Sequence, residues 1–138
     1  MKLYIDVEFN SYKGNLISIA LVSTDGSYFY ESLGCDNPDP WVAEHVMPVI
    51  GIEPKDKATV QSKLEDFLSL YDEIMIVADW PEDIQHFCEL LITGPGTRIN
   101  TPPLTMVIRR DIDSDASEIP HNALEDAWAI MKACEAKK

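Results

Sequence analysis

Residues 2–9, KLYIDVEF, alternate between apolar and polar positions closely enough to read as a strand. Strand side chains repeat in orientation every two residues, so Asp6 and Glu8 share one face. The stretch LISIALVSTDGSYFYESL reads as two further strands joined by a turn at Thr24, Asp25 and Gly26. Residues 1–33 are therefore expected to form a three-stranded antiparallel meander. GCDNPDP follows as a loop, and WVAEHVMPVI as a short helix stopped near Pro48. From Asp56 to Tyr71, Val60, Leu64, Phe67 and Leu68 recur at helical spacing. EIMIVADW is a short apolar strand, and PEDIQHFCELL a helix with Pro81 in its first turn. ITGPGTRINTPP reads as a loop and LTMVI as a last strand. RRDIDSDASEIP is a polar connector, and HNALEDAWAIMKAC a terminal helix.

Three hairpin-linked strands followed by strand–helix alternation predict an α/β fold. The sheet is mixed and five-stranded, three antiparallel N-terminal strands plus two later ones, flanked by helices. That order suits a ribonuclease-H-like fold and other small α/β domains alike. The 138 residues are read as one domain, 1–138, long enough to bury a core without disulfides or a structural metal.

Charge narrows the function classes. Eleven basic against twenty-four acidic side chains leave a formal charge of −13. This disfavours broad attraction to nucleic acid or an anionic membrane, but not to a nucleic acid whose phosphates are held through metal ions. Cys35, Cys88 and Cys134 are far apart and form no CxxC, as expected of ordinary thiols in a reducing compartment. MKLYIDVE carries carboxylates where the apolar core of a signal peptide would lie, and no apolar run approaches membrane-spanning length. A cytoplasmic protein with no membrane partner is the expectation.

The acidic pair on the first strand is the opening clue to chemistry. Asp6 and Glu8 stand roughly 7 Å apart along the strand. In a central strand two such charges repel and lose hydration, and a divalent cation between them reverses both penalties. Oxygen ligands of this kind suit Mg²⁺ or Mn²⁺. An edge strand with one wet face would explain the same pattern. In ADWPEDIQHF, Asp79 is placed to cap the helix and Glu82 to complete a capping box. Asp83 then lies in the first turn, where the helix dipole favours negative charge and α/β folds place their sites. In IPHNALEDAW, Asp126 follows His121 by about 140° of helix rotation if both are helical. The two converge only if His121 lies at or before the first turn, as Pro120 favours. An imidazole there can take a proton from water near neutral pH. A surface histidine beside an Asn122 cap is the plainer reading.

Together, IDVEFN, ADWPEDIQHF and HNALEDA resemble the three motifs of the DEDDh 3′–5′ exonucleases. These form the histidine-bearing branch of the DnaQ-like group within the ribonuclease-H-like superfamily. The first motif is D-x-E, the second an aspartate after a mid-chain strand, and the third H-x₄-D. The resemblance runs nearly end to end, and NPDPWVAEHVMPVI is similar to a helical insert in a compact bacterial and phage branch of 3′–5′ exoribonucleases. The second motif departs from the family by carrying Asp79 where an asparagine is often found, which leaves open whether Asp79 or Asp83 faces the metals.

The resemblance implies hydrolysis of terminal phosphodiesters of single-stranded nucleic acid, RNA favoured over DNA, releasing nucleoside 5′-monophosphates. It implies two Mg²⁺ (or Mn²⁺), with Asp6, Glu8, Asp83 and Asp126 as ligands, Asp6 shared, and His121 as general base. Phe9 is a candidate to stack on the terminal base, with core packing as its rival. Trp80 is a weaker candidate of the same kind. Arg109 and Arg110, the only adjacent arginines, and more weakly Lys13, are candidates to meet phosphates, with a plain surface role among acidic neighbours as the rival for the arginine pair. So small a domain implies a grip limited to the terminal nucleotides or shared with a second subunit, as in a homodimer. Two other functions remain in play: another two-metal hydrolase acting on a small nucleotide, and a catalytically inactive interaction domain.

Overall fold

A computed structural model describes residues 1–112 and 117–137. The middle of the polar connector, residues 113–116, lies outside the described residues. Strands β1 (Lys2–Phe9), β2 (Leu16–Ser23) and β3 (Tyr28–Ser32) form the expected antiparallel meander. Helix α1 (Pro40–His45) passes into a 3₁₀ turn at Met47–Val49, and helix α2 spans Lys57–Leu68. Strand β4 (Ile74–Ala78) leads into helix α3 (Pro81–Leu91). A small hairpin, β5 (Ile92–Gly94) and β6 (Thr97–Arg98), precedes strand β7 (Leu104–Ile108) and helix α4 (Ala123–Ala136).

The main sheet runs β3-β2-β1-β4-β7, with β1 to β4 and β4 to β7 parallel. The fold is therefore α/β, with a five-stranded mixed sheet and four α-helices among the described residues. β1 is the central strand, which removes the wet-edge explanation of Asp6 and Glu8.

Alternation along β1 sends its residues to opposite faces. Leu3, Ile5 and Val7 join Ile19, Leu21 and Ile76 in a core closed by Val60, Leu64, Phe67 and Leu68 of α2 and Phe87 and Leu90 of α3. Tyr4 faces the other way, into a second core with Ala20, Val22 and Val77 closed by Ala123, Ala127, Ile130 and Cys134 of α4. Because both faces are covered, β2 is apolar and buried almost throughout. A third, smaller cluster seats α1: Ile17 packs with Val42, Val46 and Ile50.

Two expectations change. ITGPGTRINTPP is not all loop, since Pro95 and Gly96, the latter at φ +69°, turn the chain tightly enough for the hairpin. The helix expected over Asp56–Tyr71 is shorter at both ends: the Asp56 side chain accepts from the Thr59 N–H as the cap, and Ser69 closes the helix. Between β1 and β2 the chain turns so tightly that a Cβ on Gly14 would stand 1.8 Å from the Asn10 carbonyl oxygen.

Candidate functional site

The register of the sheet makes the site. The parallel ladder between β1 and β4 covers only Lys2–Tyr4 against Met75–Val77, while β2 accompanies β1 as far as Phe9. Beyond Tyr4, β1 thus has one free edge, at the C-terminal end of a parallel pair where such sheets place ligands. The β4–α3 junction fills that notch. The Val7 N–H, with no β4 carbonyl opposite, donates to Asp83 Oδ1 at 3.2 Å.

Asp6 and Glu8 project on the α4 side, where the first turn of α4 brings Asp126. Among the described residues, two groups of three carboxylates converge, each with one oxygen per residue within 4.8 Å of the others. One is Asp6, Glu8 and Asp126; the other is Asp6, Asp79 and Asp83. Asp6 belongs to both. Asp83 is only 3 % exposed, and both Asp6 Oδ2 and Asp83 Oδ2 are buried without a hydrogen-bond partner.

Crowding and burial raise the proton affinity of the set. Desolvation lifts Asp6 well above the ordinary carboxylate range, helped by the charges of Asp83, Glu8, Asp126 and Asp79. Desolvation, then the Asp126 charge and a hydrogen bond shared with Asp126, push Glu8 up to about 9. Asp83 is raised by burial and by Asp79, against a lowering from the Val7 N–H. Asp126 is raised by burial, and its hydrogen bond with Glu8 and the nearby His121 partly offset this. Such a set is expensive with all charges bare. Its oxygens are the donors that hard divalent cations take, and a cation would satisfy the orphaned oxygens of Asp6 and Asp83. The residues fit such an ion.

Asp79 is corrected from helix cap to cluster member. Pro81 occupies the first position of α3, so the cap is the residue just before it, Trp80, which is extended and makes no side-chain cap. Glu82 does not close a capping box; it accepts from the Trp80 indole N–H at 2.9 Å. Asp79 and Asp83 both approach Asp6. The proline's position was the signal that ruled out an Asp79 cap.

His121 lies before the Asn122 cap, whose side chain accepts from the Glu125 N–H. It adopts φ +69°, a region L-residues rarely occupy. Its backbone N–H, not its ring, donates to Asp126 Oδ2 at 3.2 Å. The imidazole turns toward α1 and meets Trp41 edge to face, ring centroids 4.9 Å apart. His45 stacks on Trp41 at 4.6 Å. No local pattern marks Trp41 or His45, because their approach to His121 depends on long-range packing.

Phe9 is half-buried against the α2–α3 core and stacks on His86 at 4.9 Å, so it is already engaged in packing. Burial depresses the His86 pKa and favours its neutral form. Trp80 is half exposed beneath the Arg110 guanidinium, 4.8 Å from the ring centroid. Arg110 also donates to the Asp79 carbonyl, which sets it at the rim of the cluster. Arg109 is taken up instead by Asp111, in two hydrogen bonds of 3.0 and 2.7 Å. A groove of about 1120 Å³ adjoins the start of α3, lined by Trp80, Glu82 and Gln85 and by Lys13, Lys55 and Lys57.

Among the described residues, no helix is long and apolar enough to cross a membrane. No protein-family model matches the chain, and no curated protein matches it.

Proposed function

We propose that this chain is a metal-dependent 3′–5′ exonuclease with a ribonuclease-H-like fold, hydrolysing the terminal phosphodiesters of single-stranded nucleic acid, RNA in preference to DNA. One observation carries the reading: two three-carboxylate groups share Asp6, with unpartnered oxygens on Asp6 and Asp83 buried between them. Asp6, Glu8 and Asp126 would hold one Mg²⁺ or Mn²⁺, and Asp6, Asp79 and Asp83 the other. Bound there, the ions supply Lewis acidity and charge neutralisation at a scissile phosphate. A chain at −13 needs such neutralisation to receive a polyanion.

The chain's own groups do the rest. His121, beside Asp126 at the head of α4, is the base that takes a proton from the attacking water. Asp126 fixes the backbone of His121 through its N–H. Arg110, held beside the cluster by Trp80 and the Asp79 carbonyl, is a cation that could meet a phosphate there. The groove with Lys13 and Lys57 shares Trp80 and Glu82 with the β4–α3 junction but is lined by none of the clustered carboxylates.

The test is a 5′-labelled single-stranded RNA, with a matched DNA, incubated with purified protein and Mg²⁺ or Mn²⁺. The expected result is a ladder shortening from the 3′ end, nucleoside 5′-monophosphate as product, and suppression by a blocked 3′ end. Internal cleavage, or a ladder unchanged by EDTA, would overturn the assignment.

A further inference from the structure

We infer that Trp41 and His45 are positioning residues that hold the His121 imidazole in its working orientation, and that α1 is carried by the fold for this purpose. The role assigned to that imidazole rests on the exonuclease reading; its being held by α1 does not.

α1 has only six residues and could not stand alone, yet it is tied to the site from both ends. Before α1, Asn10, the residue that follows β1, donates from Nδ2 to the Asn37 carbonyl at 3.0 Å. Its Oδ1 accepts the N–H of Asp39, the residue capping α1, at 2.8 Å. After α1, Asn122, the cap of α4, donates from Nδ2 to the Val49 carbonyl at 2.8 Å. Tyr30 donates to the neighbouring Ile50 carbonyl at 2.5 Å. Both asparagines flank site residues, so α1 moves with the strand that bears Asp6 and Glu8 and with the helix that bears Asp126.

Onto this fixed platform the rings are stacked in order. The His45 Nδ1 lies 3.0 Å from the Trp41 carbonyl oxygen, which can only accept, so Nδ1 carries the proton. That bond orients His45 as it stacks on Trp41 with planes 19° apart. Trp41 then meets His121 edge to face at 81°, the arrangement aromatic quadrupoles prefer. The His121 backbone is set by the Asp126 contact and its ring by Trp41, which leaves the side chain little freedom. Trp41 is 51 % exposed, more than core packing requires of it.

The test uses the full chain, Trp41→Ala, Trp41→Phe and His45→Gln, with the His121 Cε1–H resonance assigned through His121→Gln. At one fixed pH, Trp41→Ala should move that resonance by removing a ring current, and Trp41→Phe should largely restore it. On a short single-stranded RNA, Trp41→Ala should lower kcat roughly 10- to 100-fold, the scale of a misplaced catalytic group, with KM little changed. Trp41→Phe should recover most of the loss, and His45→Gln should fall between the two. An unmoved His121 resonance overturns the inference whatever the activity. A raised KM with kcat intact overturns it too, making Trp41 a substrate contact. If the resonance moves as expected but the wild-type chain hydrolyses no RNA, the holding of His121 stands and the exonuclease reading falls.

Discussion

The two halves of β1 are built to opposite rules. From Lys2 to Tyr4 the strand is paired on both sides, and Leu3 there and Ile5 just beyond are wholly buried in the core. From Asp6 to Phe9 it is paired only with β2, and its α4-side positions are carboxylates whose protons are held against their ordinary tendency. The first half gains free energy by excluding water; the second stores repulsion. One strand thus anchors the fold and opens the site, and the change occurs where β4 stops pairing.

Substitutions at neighbouring positions separate the two rules. Asp6→Asn should abolish hydrolysis, by at least on the order of 10²–10³-fold, the scale for losing a group that stabilises the transition state. In EDTA the same change should raise Tm, since it removes a buried repulsion; a gain of about 1 kcal/mol would read as about 4 °C. A lower Tm would break the claim that this half of the strand is under strain. Ile5→Ala should behave oppositely, costing about 2–5 kcal/mol of stability in a denaturant melt while kcat of the folded fraction is kept.

The pH profile sharpens the contrast further. Glu8, ordinarily near 4.5, is pushed up to about 9 in the folded chain, and Asp6, Asp83 and Asp126 are raised likewise. Between those values the folded state holds protons that the unfolded state has released, so stability falls as pH rises. The groups with lowered pKa act in the opposite sense: Asp25, Asp56 and Asp111 only at acid pH, and His86 as pH rises toward its ordinary value of 6.5, a single group against the four raised carboxylates. Metal-free protein should therefore lose stability steadily from about pH 4.5 to 9. Saturating Mg²⁺ should flatten that slope if the cations bind the deprotonated set. A metal-free profile that rises over this window would refute the assignment of raised carboxylates. The smallest effect belongs to Tyr4→Phe in the paired half: loss of the hydrogen bond to Glu135 should cost about 1 kcal/mol and leave hydrolysis alone.

How far these features could be read in advance follows from the range of the interactions behind them. The meander, β4, α3, β7 and α4 show themselves through local periodicity and turn chemistry, and Asp6 with Glu8 through the two-residue repeat. Asp83 and Asp126 lie in helix first turns, positions that their sequences mark. Asp79 was legible in principle, because Pro81 dictates which residue can cap. The β5–β6 hairpin was hidden because its strands are three and two residues long, too short for alternation to register. The meeting of Trp41, His45 and His121 joins segments some eighty positions apart, and no periodicity spans that distance. Arg109 pairs with Asp111 two positions on, as the acidic residues beside it in the sequence allow.

The shared hydrogen bond between Glu8 and Asp126 has a consequence for motion. It clasps the first strand to the first turn of the last helix, ahead of the packing of Ala123, Ala127, Ile130 and Cys134 on the sheet. Remove the shared proton without supplying a cation and the clasp becomes a spring that pushes α4 off the sheet. Amide hydrogens of α4 should then report a sub-global opening well below the free energy of full unfolding, while those of β2 stay locked. The terminal helix of this small protein is in that sense a latch, closed either by a proton or by a divalent cation.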